Sequence, residues 1–512
     1  MTTRSSVLRL CRPAALLSLA ALMVAACATP DEPLRSDLAS PVTDVQACAK
    51  WYRSLDDAID DASVRDGEAY PIPGFPYLRV NRFLASFRPQ AESGAVTFAA
   101  WEARLRHLDQ RTRTYELQNL PPNSLARLGV KDWKDAAARS DECGAILLKA
   151  DAADGARRQA LIDRAQVPDD YSDWKRAVGL YPLTRIPFFQ FAKGWESDTR
   201  KLFKEAAATP ERHEIVRYQP PAVTSSARDI AAMLANVKRD PLGIPEFTAG
   251  DEELLFTAFA PVVEMETTGD YDRIGSLRWG RRETPAVDIS HPTIYRRIAY
   301  TRYGNQTLVQ VVYLLWVSKR PDSGWFDPLS GNLDGLFFRV TLDPTGRPLV
   351  YDTIHPCGCY HMFFPTPLAQ PIKAPDPDVE WAFVPETLPA VELPQRIVIR
   401  VQTRTHYLMD IHPETASERG GVSYALADDG LLRTLPRPTG PRSIYGPDGI
   451  VRGTERGERF ATWPLGLDEA GSMREWGRHA TALIGRRQFD DADLIERRFA
   501  LQFTAEAPGR TR

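Results

Sequence analysis

Between residues 44 and 240, apolar and aromatic side chains recur every three or four positions, the spacing of one helix face. Residues 47–61, 96–117, 133–150, 156–165 and 225–238 follow it, with Phe98, Trp101, Leu105 and Leu108 forming one stripe. Prolines interrupt the pattern twice. Residues 70–77 interleave Pro71, Pro73 and Pro76 with aromatic residues and read as a rigid loop before a short helix over 78–84. Residues 181–191 are apolar, but Pro182 and Pro187 each remove a backbone donor, so an extended or kinked connection is expected there.

Beyond residue 250 the period shifts toward that of strands. Residues 293–303 and 307–318 flank Gly304-Asn305, and the second run is almost continuously β-branched or aromatic, as a central buried strand requires. Residues 336–342 and 348–354 flank Asp343-Pro344-Thr345-Gly346, whose Pro and Gly suit a tight turn. Further strands are expected over 397–411 and 421–427, and a last helix over 472–485. The pattern predicts an α+β chain, with a mainly helical N-terminal part, a boundary near residues 240–245 and an antiparallel β-rich C-terminal part with a late helix. No repeat of fixed period is present.

The first residues follow neither pattern. Arg4, Arg9 and Arg12 precede an apolar run over 14–26 that is too short for an ordinary membrane span and has the form of a targeting segment. It ends Val24-Ala25-Ala26-Cys27, which resembles the lipobox of bacterial lipoproteins; a plain secretory signal with a chance cysteine is the alternative. The resemblance covers about the first thirty positions. It implies cleavage before Cys27, acylation of Cys27 and stable anchoring, since each buried methylene adds about 0.8 kcal/mol. By the sorting pattern of such proteins, Ala28 after the cysteine implies the periplasmic face of the outer membrane. The implied partners are the lipid bilayer and the lipoprotein-processing and sorting machinery. The expected division is a signal peptide over 1–26, a lipidated tether over 27–44, a helical domain over 45–245 and a β-rich domain over 246–512.

The net charge of −3 comes from 64 basic and 67 acidic residues, so the whole chain has no surplus that argues for nucleic acid. Of six cysteines, Cys11 leaves with the signal and Cys27 takes lipid, leaving Cys48, Cys143, Cys357 and Cys359 in an oxidising compartment. Cys48 and Cys143 both fall in helical patterns, and a disulfide between two helices is the expected pairing.

The other two lie in His355-Pro356-Cys357-Gly358-Cys359-Tyr360-His361, the densest cluster of soft ligands in the chain. Extended, the segment would span roughly 20 Å, so only a chain folded back at Pro356 or Gly358 could bring its side chains to one ion. If so, His355, Cys357, Cys359 and His361 would suit zinc or copper, with His291, His406 and His412 as possible outside ligands. Asp288, Asp352 and Asp410 precede His291, His355 and His412 and could orient those imidazoles, though His-Pro at strand ends, which needs no metal, is the simpler explanation of the pattern. A local Cys357–Cys359 disulfide and a catalytic thiol remain open. Asp327 and Asp334 lie in calcium-friendly sequences that lack EF-hand spacing and read as a long turn. Two functions follow as expectations: an anchored lipoprotein with a soft-metal or redox site, or a non-enzymatic envelope binding or assembly protein with structural disulfides.

The Cys27→Ser variant is expected to leave the membrane fraction and appear in the soluble periplasmic fraction. Continued tight sedimentation with membranes would contradict the acylation of Cys27.

Overall fold

The computed structural model describes residues 32–208, 213–222, 225–324, 327–415 and 420–503. The signal segment and Cys27 lie outside the described residues. Within the stretch expected as a tether, α1 (Glu32–Leu38) is helical, and Asp37 is buried in an ion pair with Arg157.

The N-terminal part is built on α2 (Thr43–Asp61), α3 (Ala95–Asn119) and α4 (Trp133–Ala152). Along α2 the buried positions Val45, Cys48, Trp51, Tyr52, Leu55 and Ile59 keep the helical period, and the α3 stripe of Phe98, Trp101, Leu105 and Leu108 is buried as expected. Asp132 caps α4 by accepting from the backbone N–H groups of Lys134 and Asp135. A Cys48–Cys143 disulfide joins α2 to α4. The loop expected over 70–77 is instead a hairpin of β1 (Tyr70–Ile72) and β2 (Phe75–Val80). Its turn is Pro73-Gly74 with Gly74 at φ +87°, so a Pro-Gly pair makes the connection and the flanking residues pair. β2 takes the first three residues of the short helix expected over 78–84, and the helix is confined to Arg82–Ala85.

α5 (Asp173–Val178) leads into α6 (Tyr181–Ala208), which corrects the expected kinked connection. Pro182 falls in the first turn, where no intrahelical donor is needed, while Pro187 costs the helix one hydrogen bond. Although α6 precedes residue 245, Trp195 and Phe203 pack into the C-terminal core.

In the C-terminal part, β3 (Glu214–Gln219), α7 (Ala227–Asn236), α8 (Ala249–Phe259) and β4 (Val262–Thr267) come first. The hairpin of β5 (Ser276–Trp279) and β6 (Pro285–Asp288) leads to β7 (Thr293–Tyr303), β8 (Gln306–Arg320), β9 (Gly331–Leu342), β10 (Pro348–Ile354) and β11 (Met362–Pro365). β12 (Ala369–Pro371), β13 (Arg396–Val401), β14 (Leu408–Glu414), β15 (Val422–Ser423), β16 (Ala425–Asp428) and β17 (Phe499–Leu501) complete the set.

One sheet has the order β11-β10-β9-β8-β7-β16 and the other β14-β13-β4-β3-β15. Pairing is mostly antiparallel, with parallel contacts of β16 on β7, β13 on β4 and β15 on β3. The continuous apolar character of β8 follows from burial on both faces. Val311, Tyr313 and Leu315 pack toward the second sheet and α7 and α8, while Val312, Leu314 and Trp316 face the C-terminal tail through Leu432, Met473 and Phe489.

That tail corrects a second expectation: residues 472–485 are irregular. Gly471, Gly477 and Gly485 have φ of +84°, +85° and +102°, and the backbone bonds to other segments, as in Arg474 N–H to Pro356 and Glu475 N–H to Gly449. The strand expected over 397–411 is two strands, β13 and β14, joined by a turn, and Gly331–Gly335, expected as turn, begins β9.

The disulfide closes a loop with a sequence separation of 95. The double variant Cys48→Ser/Cys143→Ser should lose about 2–4 kcal/mol in urea denaturation. An unchanged midpoint would show that helix packing alone holds α2 on α4.

Candidate functional site

β10 and β11 pair antiparallel from Val350↔Pro365 to Thr353↔Met362, so residues 355–361 form the loop of a hairpin. The chain folds back through His355 N–H to Cys359 carbonyl (3.0 Å) and Gly358 N–H to His355 carbonyl (2.8 Å). Gly358 has φ +88°, and a Cβ there would lie 2.5 Å from the Ala480 carbonyl oxygen, so only glycine lets the loop seat on the tail. Cys357 and Cys359 carry free thiols rather than a mutual disulfide. A hydrogen bond with Cys357, then burial, pushes the Cys359 thiol well above its usual range.

The two loop histidines turn to different carboxylates. His355 Nδ1 is 3.1 Å from Asp334 Oδ1, and Asp334 Oδ2 is 3.0 Å from His406 Nδ1. The far side of His406 lies 3.3 Å from Asp272 Oδ1. All four side chains are buried. Burial outweighs the Asp334 carboxylate and lowers His355, whereas for His406 the two carboxylates that face its ring, Asp272 and Asp334, overcome burial and raise it. Despite burial, Asp272 is held down to about 2 by its bonds to His406 and the Arg404 and Thr268 backbone.

His361 Nε2 is 2.8 Å from Asp352 Oδ2, and Asp352 takes a two-pronged contact of 2.9 and 2.5 Å from Arg339, its cross-strand neighbour. Asp352 therefore serves His361, not His355 as expected: residues 352 and 355 are an odd number apart along the strand, while 352 and 361 are diagonal neighbours across the ladder. Asp288 and Asp410 do orient His291 and His412, at 3.1 and 2.8 Å, but His291 is exposed and neither residue is a wall of the cavity at the thiols. His406 is the one outside histidine drawn to the cluster, through Asp334.

A cavity of about 750 Å³ opens beside the loop. One wall is α6, through Pro187, Phe188, Phe191 and Trp195; Cys357 and Cys359 form another, with Trp381, Phe383 and tail residues 457–483 completing it. Most of its charged wall groups are already bonded; the exception is Glu458, whose carboxyl makes no hydrogen bond or ion pair among the described residues and is raised by burial. Arg487 donates to the Trp381 carbonyl (2.5 Å) and the Thr481 carbonyl (2.6 Å), and Glu380 accepts from Leu483 and Ile484 N–H at 2.7 and 2.8 Å. Arg474 donates to the Asp468 and Glu469 carbonyls. What remains free to meet a ligand is mainly apolar surface, two thiols and the Glu458 carboxyl.

Among the described residues, no group of three or more His, Cys, Asp or Glu side chains is arranged to hold a metal ion. The thiols are the soft ligands available together. Sequence periodicity could not point to Arg339, Asp272 or Arg487, which act through cross-strand and tail contacts; Asp334 was visible only as one acid of a loop-like segment. No protein family, curated protein or solved structure matches the chain.

His479, behind Gly358, packs edge-on against Phe337 with its ring nitrogens facing the Pro356 and Arg474 main chain without a well-formed hydrogen bond. Burial lowers both His361 and His479 to about 3. Each is depressed relative to the unfolded chain, so the unfolded state binds more protons between pH 6.5 and 3, and the stability present above 6.5 is lost as pH falls. His406, raised, contributes with the opposite sign. Moving from pH 7 to 4.5 should cost on the order of 2 kcal/mol per depressed histidine. In His479→Gln that loss should shrink; equal slopes in urea titrations of both proteins would contradict a neutral buried His479.

Proposed function

We propose that the chain is a lipid-anchored envelope protein, held on the periplasmic face of the outer membrane through Cys27, that binds a small apolar molecule in the cavity beside Cys357 and Cys359. The observation that carries this reading is the cavity itself: about 750 Å³, within the range of small-molecule sites, with walls that are mainly apolar and with Arg474, Arg487 and Glu380 satisfied internally. A ligand there gains by burying apolar surface, at about 25 cal/mol per Å². Thiol catalysis is less well supported, because Cys359 is held protonated and the neighbouring imidazoles of His355 and His361 each give one nitrogen to a carboxylate.

The thiol pair favours one second reading, a soft-metal site. Two adjacent sulfurs suit Cu(I) better than zinc, which takes four ligands, and binding would have to displace the thiol protons.

The test uses the soluble form starting at Ala28 and a polyene fatty acid whose fluorescence rises in apolar surroundings. Saturable binding at micromolar probe is expected, weakened at least tenfold in Ala192→Phe, which fills the cavity beside α6, and bound probe should slow labelling of both thiols. No saturable binding, or equal affinity in the variant, would sink the apolar-ligand reading. Stoichiometric Cu(I) with loss of two titratable thiols and no probe binding would select the metal site instead.

A further inference from the structure

Of thirteen exposed large apolar side chains among the described residues, eight fall in two segments, 174–191 and 460–463. Trp174, Leu180, Leu183, Ile186 and Phe191 come from α5, α6 and their link. Phe460 and Trp463 come from the tail turn that packs against both helices. Single exposed apolar residues are normal on a protein surface, but a contiguous face of aromatic and branched side chains marks an interaction site. Phe191 and Phe460 are 58% and 73% exposed and both line the cavity, so the cavity opens within this face.

Charge separates one occupant from others. Residues 173–196 contain Lys175, Arg176, Arg185 and Lys193 against Asp173 and Glu196, four basic to two acidic, a local bias hidden by the near-neutral whole chain; Asp173 is bound by Arg486. Arg176 is used internally, donating to the Leu465 and Gly485 carbonyls. Lys175 and Arg185 reach only the exposed carboxylates of Asp468 and Asp378, and Lys193 reaches Glu196. Exposed pairs of this kind contribute at most about 1 kcal/mol, so lipid phosphates can compete for the cations. Apolar and aromatic side chains with a surplus of Lys and Arg over acids are the composition of a helix that lies in a bilayer interface.

Geometry adds a constraint from the chain's other end. Residues 28–31 alone separate Cys27 from α1, a reach of at most roughly 18 Å. That is less than the radius of gyration of about 23 Å for a compact body of this size. A body held so closely must rest some part of its surface on the membrane.

We propose that the α5–α6 face and the Phe460–Trp463 turn dock on the anionic surface of the bilayer that carries the Cys27 anchor, with the cavity mouth open to the lipid layer. This rests on the lipid-anchor reading. In this arrangement an apolar ligand enters from the membrane without crossing water.

The test uses the mature lipidated protein, reconstituted in vesicles of phosphatidylethanolamine with a minority of phosphatidylglycerol. A benzophenone amino acid is placed at Leu183, at Phe460 or, as control, at Leu431, which is 54% exposed and lies outside both the proposed face and the α1 neighbourhood. The expected result is that the protein floats with vesicles and gives severalfold more lipid adduct at Leu183 and Phe460 than at Leu431. Flotation with equal adduct at all three positions overturns the docking face while leaving the anchor intact. Flotation with protein–protein adducts in place of lipid adducts also overturns it, in favour of self-association. Failure to float overturns the anchor and the docking together.

Discussion

Arg433 lies 367 residues from Asp66 in sequence, yet its Nε donates to Asp66 Oδ2 at 2.5 Å in the interior. The contact is one link of a buried run of paired charges. Arg79 binds Asp109 and Glu116; Glu116 accepts the Asp66 N–H; Arg433 joins Asp66 to Glu68; and Glu68 meets Arg297, which meets Asp429. Removing a charge from water costs several kcal/mol, so each is tolerable only because it meets at least one opposite charge. Glu475, crowded by burial and Asp66, rises well above the usual carboxylate range. The run ties the N-terminal helices to the tail, and the tail supplies a wall of the cavity. The site therefore depends on a network that is not part of it.

The same logic explains how much of the fold was legible in the sequence. Where one face of an element decides its burial, period alone suffices: α2, α3, α4 and the β9–β10 turn at Asp343–Gly346 appear as the pattern predicts. The turn is even built by its own residues, Asp343 accepting from Thr345 and Arg347 N–H. Local rules mislead where position within an element matters. Proline at the second residue of α6 is harmless, and Pro73-Gly74 is the turn of a hairpin rather than a break. The tail is illegible for another reason: its backbone groups are satisfied by partners remote in sequence, so no local period exists to be read.

In the candidate site, residue types were legible but their partners were not. The sequence shows a dense run of His and Cys with the bend residues to fold it, and it folds. Which carboxylate meets which imidazole is set by strand register and by Asp334 at the start of β9, and register depends on long-range pairing. The apolar face on α6 was hidden twice, once by the proline rule and once by averaging charge over the whole chain.

These placements bear on what the two thiols can be. For the Cys359 thiol, the hydrogen bond to Cys357 and burial outweigh the pull of Arg456 toward the thiolate, and the nearby Arg474 is spent on carbonyl oxygens. In the resting protein Cys359 is thus a neutral thiol, and the two sulfurs contribute polarizable, weakly polar surface to a mainly apolar cavity. A soft cation would have to repay the cost of two deprotonations in a dry site, whereas an apolar ligand meets the thiols as they stand. The burial and hydrogen bonding that keep the Cys359 proton in place are therefore also what suit the cavity to apolar molecules first.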